Sequence, residues 1–430
     1  MQKNIKIAFL GTGYVGLVAG TCFADKGNEV NCIDIDKNRI GLLKSCKIPF
    51  YEPGLEEMMV RNIQEGRLTF STLDEAKLEQ YCAIFISVGT PDDGSGKTDL
   101  GKVYDAFNYI KENVKTSKII IIRSTVPTGT CSAIQSIVDE DNDLNHIICS
   151  NPEFTKEGDA INDFLNPDRV VIGSPQNKEI QNFFYTLYKP FILKENILFM
   201  STESSELTKY TSNAFLATRI SFINDIARIA DKLNANIEEV SNAVGMDPRI
   251  GPHFIRAGIG YGGSCFPKDT LSLVDQANEV GEHINVLEGT IKTNDYQISY
   301  FLDKIDNYFK KNNLKKKVTL FGLSFKPNTD DLRASRGVML YNLLKKEDFS
   351  IRCYDPMNLK FISKPIPYYQ NIEDSLEGST ALIISVEDEQ YKNLNFKALK
   401  ENGIKAIFDG RNLLKDMTEE LEGIDYFSVG

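Results

Sequence analysis

Residues 5–34, IKIAFLGTGYVGLVAGTCFADKGNEVNCID, decide the fold. The run IKIAFL is short and apolar, suited to a buried parallel strand. Gly11-Thr12-Gly13-Tyr14-Val15-Gly16 follows, then helical text to about Lys26, a break at Gly27-Asn28, and a second strand ending near Asp34. Strand, glycine turn, helix, strand and acid together give a G-x-G-x-x-G pattern its meaning. Gly11 permits a tight turn, Gly13 lets the backbone approach a pyrophosphate, and Gly16 lets helix and strand pack closely. The helix N-terminus offers N–H groups and the positive end of its dipole to phosphates. Asp34 can accept from both ribose hydroxyls and repels a 2′-phosphate, so NAD is expected rather than NADP, with Arg39 nearby as the contrary signal. With Lys3 and Lys6 ahead of it, the same stretch imitates an export leader, but the spaced glycines and the early Asp25 fit the dinucleotide turn better.

Further apolar, β-branched runs at 83–90, 118–125, 146–152 and 169–173 alternate with helices or loops, as in doubly wound α/β proteins. Ligands in such sheets bind beyond the carboxyl ends of strands, which singles out Thr90, Ser124, Thr125, Glu153 and Glu157. Residues 91–98, PDDGSGKT, resemble a P-loop but are one residue short, lack the first glycine and carry two aspartates. They read as a loop running into a helix cap at Thr98 or Asp99. From 316 the order strand, loop, helix, strand returns and closes on Asp355, without the glycine fingerprint. A second dinucleotide site is therefore not expected there, although Lys326, Arg333 and Arg336 leave room for a phosphate site. The expected fold is α/β, with two Rossmann-like doubly wound domains joined by a long central helix. The expected domains are 1–199, 200–300 and 301–430.

That helix is residues 203–233, which hold no Gly or Pro and repeat apolar residues at helical spacing over about 45 Å. Apolar residues on more than one face suit burial between domains or subunits. Lys209 and Asn213 are four apart and share one side, a cation and an amide donor suited to an oxyanion. The segment 258–269, GIGYGGSCFPKD, is rich in glycine, which implies a backbone that a ligand approaches closely. Pro267 marks the first turn of a helix, so Cys265 stands at its N-terminus beside Lys268, a setting that activates thiols. Asp269 is placed to hold a water or a cation.

Composition narrows the classes. The chain has 430 residues, 42% hydrophobic and 25% charged, and a formal net charge of -11. That is globular composition for two or three domains, and the acidity argues against a nucleic-acid surface. No apolar run reaches about 20 residues, so no membrane span is expected. The eight cysteines form no C-x-x-C pair and read as reduced thiols, hence a cytoplasmic setting. The three histidines form no metal-ligand pair, which argues against a zinc site and a Ser-His-Asp hydrolase.

Taken together, the motifs resemble those of the UDP-glucose/GDP-mannose dehydrogenase family along essentially the whole chain. They are GTGYVGL (11–17), STVPTGT (124–130), NPEF with Glu157-Gly158, NPDRVVIG (166–173), Glu206 with Lys209 and NAF (213–215), GYGGSCFPKD (260–269), FGLSFKPNTDDLR (321–333) and FDGRN (408–412). The resemblance implies a four-electron oxidation of UDP-glucose to UDP-glucuronate with two NAD reduced, in a homodimer built on the long helix. Cys265 would form a thiohemiacetal and then a thioester. Lys209 and Asn213 would stabilise the oxyanion, Asp269 and Thr125 would hold the catalytic water, and Glu153 would act as base. Gly11, Gly13, Gly16, Asp34, Arg39 and Thr90 would hold NAD, with Thr125, Glu157, Lys268 and Arg333. The UDP-sugar would lie against Phe154, Thr155, Lys156 and Glu157, and against Phe254, Tyr261, Gly262, Phe325 and Lys326. Arg411 would contact it from the C-terminal domain and Arg249 from the neighbouring subunit. Thr155 departs from the apolar residue usual in the family, and Lys156 adds a cation. The same chemistry on GDP-mannose or a UDP-N-acetylhexosamine stays open as the alternative.

Overall fold

Apolar runs too short for helices become strands, and the first unit collects eight of them. The computed structural model describes residues 5–140, 145–357, 359, 366–417 and 419–430. They divide into two units, Met1–Ser212 and Asn213–Gly430. In the first unit the strands are β1 (Lys6–Leu10), β2 (Glu29–Asp34), β3 (Leu68–Thr72), β4 (Ala83–Ile86), β5 (Ile119–Ile122), β6 (Ile147–Ser150), β7 (Val170–Gly173) and β8 (Ile197–Met200). Their order is 3-2-1-4-5-6-7-8. Pairing is parallel throughout except between β6 and β7, which meet antiparallel at Ser150 and Gly173. Central strands are buried on both faces, so Phe9 of β1 stacks on Phe85 of β4 at 4.5 Å while Ile7, Ala8 and Phe9 are fully buried.

The second unit holds a smaller parallel sheet. Its strands are β9 (Lys317–Phe321), β10 (Ser350–Tyr354), β11 (Ala381–Ile384), β12 (Ala406–Asp409) and β13 (Asp425–Phe427), in the order 10-9-11-12-13. Helices precede it, among them Phe266–Glu279 and the 27-residue Asn285–Lys311. The long helix is present as Thr202–Leu233. Sequence reading missed β3, β8 and β13 and gave no helix over 285–311. β3 reads LTFST, half polar, and β13 has three residues, both too little pattern to see. The expected boundary at 300/301 falls inside the helix Asn285–Lys311.

The two sheets share a construction that the sequence shows only once. Gly11 has φ +99° and donates its N–H to Ile33 O at the end of β2. A Cβ on Gly16 would lie 2.1 Å from the Gly11 carbonyl oxygen. In the second unit Gly322 has φ +90° and donates to Tyr354 O at the end of β10. A Cβ on Gly337 would lie 2.2 Å from the Gly322 oxygen. The acids correspond too. Asp34 accepts from Thr12 N at 2.8 Å, and Asp355 accepts from Leu323 N at 2.6 Å and Ser324 N at 2.9 Å. Four residues separate the first pair of glycines and fourteen the second, so the fingerprint is stretched beyond recognition rather than absent.

Gly337→Ala therefore forces helix and strand apart. We expect a loss of about 1–3 kcal/mol or more, as for overpacked cores. Gly289→Ala, in a helix with nothing within 4 Å of the added atom, should be neutral or stabilise by up to about 1 kcal/mol. Denaturant unfolding of the two variants checks the contrast.

Candidate active site

The glycine turn fits a dinucleotide. A Cβ on Gly13 would meet nothing within 4 Å, so the open space lies at the N-cap of the helix Tyr14–Asp25. No side chain caps that end and no acid lies in its first turn, which leaves its N–H groups facing open space. Asp34 closes the site. Burial pushes its carboxyl up, but donors from Asp36 and Thr12 outweigh that and bring it below the usual range. It stays an anion with acceptor capacity left for ribose hydroxyls. Arg39 Nη1 is 3.5 Å from Asp34 Oδ2, so its charge faces the carboxylate. Thr90 Oγ1 donates to the Thr125 carbonyl at 2.8 Å, tying the ends of β4 and β5 together. Residues 91–99 fold into a small hairpin. Asp92 accepts from Gly96 N and Asp93 from Ser95 N and Oγ, so these N–H groups are already engaged.

A second cluster in this unit is built round Lys209. Its side chain is buried, with 3% of the residue exposed. Nζ donates to Glu153 Oε1 at 2.9 Å and to the Glu153 carbonyl at 2.6 Å. The other carboxylate oxygen, Oε2, accepts from Thr155 N and Thr155 Oγ1, each at 2.6 Å. Burial alone would raise the Glu153 carboxyl, but the Lys209 ammonium and the Thr155 donors hold it down at about 2. Thr155, the departure from family pattern, thus has a use that an apolar side chain cannot supply. Lys156 turns to Asp163 at 3.2 Å and Asp159 at 3.5 Å, so its charge is spent on the helix Ala160–Leu165.

In the second unit Asn213 Nδ2 donates to Asp269 Oδ2 at 2.6 Å, and Lys268 Nζ lies 2.6 Å from Asp269 Oδ1. Asp269, 1% exposed, thereby engages both oxygens and offsets the charge of Lys268. Cys265 is exposed at the N-cap of the helix Phe266–Glu279, with Pro267 in its first turn. Its sulfur is 3.6 Å from Ser264 Oγ. The glycines before it do not leave the room that the sequence suggests. A Cβ on Gly262 would lie 2.3 Å from Ala334 O, one on Gly263 2.8 Å from the Phe325 ring, and one on Gly260 2.6 Å from Asn294 Oδ1. The chain's own residues fill that space. The backbone is pinned as well: Gly258 N donates to Asn224 Oδ1, Tyr261 N to Asn294 Oδ1, and Gly263 N to Arg333 O.

The remaining expected residues lie around this core. Phe254, at φ +62°, sits in a conformation costly for a bulky side chain, its ring 6.1 Å from that of Phe266. The Tyr261 ring is 5.9 Å from Phe266, and Lys326 Nζ stands 5.6 Å from the centre of its neighbour Phe325. Arg333 pairs with Asp331 and Arg411 with Glu387. Arg249, its side chain 86% exposed, pairs with Asp247 at 2.6 Å. Two carboxylates hold backbone in place, Glu206, which the sequence reading quoted without a role, and Glu52, which it did not name. Glu206 accepts from Gly129 N at 2.7 Å and Cys131 N at 2.8 Å. Glu52 accepts from the Tyr14 hydroxyl, Gly158 N and Ala160 N. Glu206 lies three residues before Lys209, a helical spacing that could have revealed it; Glu52 carried no such signal.

Three models of the UDP-glucose/GDP-mannose dehydrogenase family match the chain in order. They are its NAD binding domain at 5–192, its central domain at 203–296 and its UDP binding domain at 319–416. The UDP-glucose 6-dehydrogenase YwqF of Bacillus subtilis (strain 168) is 40% identical over 433 residues, covering 99% of this chain and 98% of that one. A UDP-glucose 6-dehydrogenase of Rhizobium meliloti (strain 1021) is 37% identical, covering 99% of each. The solved structure of a UDP-glucose dehydrogenase from Pyrobaculum islandicum superposes with a TM-score of 0.89 at 32% identity, covering 100% of this chain and 98% of that one.

The depressed carboxyl of Glu153 has a stability consequence. Its folded value is about 2 against about 4.3 unfolded. Its contribution is therefore fully present above the unfolded value and is lost as pH falls toward 2. Thr155→Val removes one of the two donors to Oε2, so the folded value should rise and the window narrow. The acid-unfolding midpoint should move to higher pH; an unmoved midpoint would mean that the hydroxyl does not hold the carboxylate.

Proposed function

The chain belongs to the UDP-glucose/GDP-mannose dehydrogenase family, and on that premise we propose that it oxidises UDP-glucose to UDP-glucuronate through a covalent intermediate on Cys265. NAD, the cofactor of the matched binding domain, supplies the acceptor for two hydrides in turn. Gly11, Gly13, Gly16 and Asp34 would hold it, with Thr90 and Thr125 at the neighbouring strand ends. The observation that carries the reading is the exposed thiol at a helix N-terminus, in a loop pinned by backbone and side-chain bonds. An alcohol gives up hydride directly, but an aldehyde must first become tetrahedral. The Cys265 thiolate adds to the aldehyde carbon and forms a thiohemiacetal. Loss of the second hydride leaves a thioester. Water then adds, the C–S bond breaks, and the acid leaves with the thiolate restored. A two-electron dehydrogenase would need no such thiol.

Lys209 and Asn213, one helical turn apart, are assigned to the oxyanion of each tetrahedral state. Glu153 keeps the Lys209 ammonium charged in a buried place. It is assigned as the base of thioester hydrolysis through Oε1, which accepts one bond, from the Lys209 ammonium, and keeps a lone pair, whereas Oε2 takes both Thr155 donors. Asp269, each of whose oxygens accepts one such bond, is assigned to the attacking water. The assignment of the UDP-sugar to Phe154–Glu157, Phe254, Tyr261, Phe325, Lys326 and Arg411 rests on the family resemblance, as does the division into 1–199, 200–300 and 301–430.

We also propose a homodimer on the long helix. Phe215, Phe222 and Ile229 lie seven apart and are 62%, 59% and 52% exposed, one stripe too apolar to stay in water. Arg249 would then serve the partner's site. The eight reduced thiols support a cytoplasmic setting.

At limiting UDP-glucose, about two NADH should form per sugar consumed. A ratio of one would remove the thioester. No NADH with UDP-glucose but two with GDP-mannose or a UDP-N-acetylhexosamine would transfer the mechanism to that substrate. Cys265→Ala should abolish acid formation, and Lys209→Ala should lower kcat by about 100-fold or more. In sedimentation, Phe222→Glu should convert a dimer to a monomer; an unchanged dimer would place the interface elsewhere.

A further inference from the structure

We propose that the cavity behind residues 151–155 of the first unit binds a small oxyanion between Arg123 and Arg169, at a site separate from the glycine turn. The proposal concerns a binding site whose wall shares Glu153, Phe154 and Thr155 with the reaction proposed above. The NPDR motif that carries Arg169 has no role in that reaction.

Arg123 follows β5 and is 5% exposed. Its Nη1 donates to Asn151 Oδ1 at 2.9 Å and lies 3.4 Å from the Tyr188 hydroxyl. Its guanidinium lies 5.3 Å from the centre of the Phe164 ring. Nε is buried without a partner. Arg169 precedes β7 and stacks its guanidinium on the Phe154 ring at 4.2 Å. Both line one cavity of about 90 Å³ with Asn151, Glu153, Thr155 and Tyr188, room for several waters or one tetrahedral oxyanion. Among the described residues no carboxylate forms an ion pair with either arginine.

The acids on the cavity wall have been accounted for. Glu153 is matched by Lys209 at 2.9 Å and Asp163 by Lys156 at 3.2 Å. Asp168, exposed, is the one acid of the wall without a cation on it. Two guanidinium groups thus face one unmatched carboxylate, and the buried one lacks any counter-charge. A cation is costly to bury without a charge partner, and a guanidinium presents the donor fork that carboxylate and tetrahedral oxyanions fit. An anion in the cavity balances the charge of the two guanidinium groups that line it.

The test uses the full chain with NAD and UDP both saturating, so that the diphosphate sites are filled. Selenate is then titrated by calorimetry and located by anomalous scattering. One saturable site is expected, with the selenium signal between Arg123 and Arg169. Arg169→Gln should weaken binding about tenfold or more, and Arg123→Gln should abolish it. If Arg123→Gln does not fold, the partly exposed Arg169 still decides. Displacement of selenate by acetate would point to a carboxylate as the ligand, and its failure to a tetrahedral oxyanion. No saturable site once NAD and UDP are bound, or unchanged affinity in Arg169→Gln, overturns the proposal.

Discussion

Keeping the ammonium of Lys209 charged out of water is the constraint round which the loop after β6 is arranged. An ammonium at that depth loses its hydration and must recover it from fixed groups. Glu153 supplies a carboxylate oxygen and its own carbonyl. The carboxylate in turn needs donors on its other side, and Thr155 gives two. The loop after β6 is thus fixed by a chain of charge compensation that starts on the long helix. Glu206, three residues earlier on that helix, extends the same logic to the N-terminus of the helix Thr130–Glu140, where it takes up two backbone donors.

Much of this was legible in the sequence, and for identifiable reasons. Gly11, Gly13, Gly16 and Asp34 could be read because they serve local geometry at fixed spacing, and the structure realises each of them. The long helix could be read because 31 residues without Gly or Pro have few alternatives. Cys265 at a helix start could be read from Pro267. The central strands could be read from their apolar, β-branched runs.

What stayed hidden depends on contacts between residues distant in the chain. The glycines of 258–263 looked like room for a ligand, yet Ala334, Phe325 and Asn294 occupy that room. Lys156, read as a cation beside the sugar pocket, also pairs with Asp159 and Asp163, partners that the sequence does not show. Residues 285–311 form a helix although their text is polar and contains Gly289, because Leu287, Ile298, Phe301 and Phe309 bury one stripe of it. Composition weighs such a segment as polar, whereas packing weighs only the buried side.

The fourteen-residue stretch between Gly322 and Gly337 has a further meaning. In a standard nucleotide turn that space is short and admits phosphate. Here it is a strap whose inner side, Phe325, Arg333 and Ala334, lies on the glycine loop before Cys265. The strap belongs to the matched UDP binding domain. Its packing thus ties the strap to the backbone that leads to Cys265. Under the proposed reaction, binding energy from the uridine end of the substrate would be spent on alignment at the carbon being oxidised. A sugar deprived of its nucleotide would forfeit turnover as well as affinity, because the handle and the tool are one piece of chain.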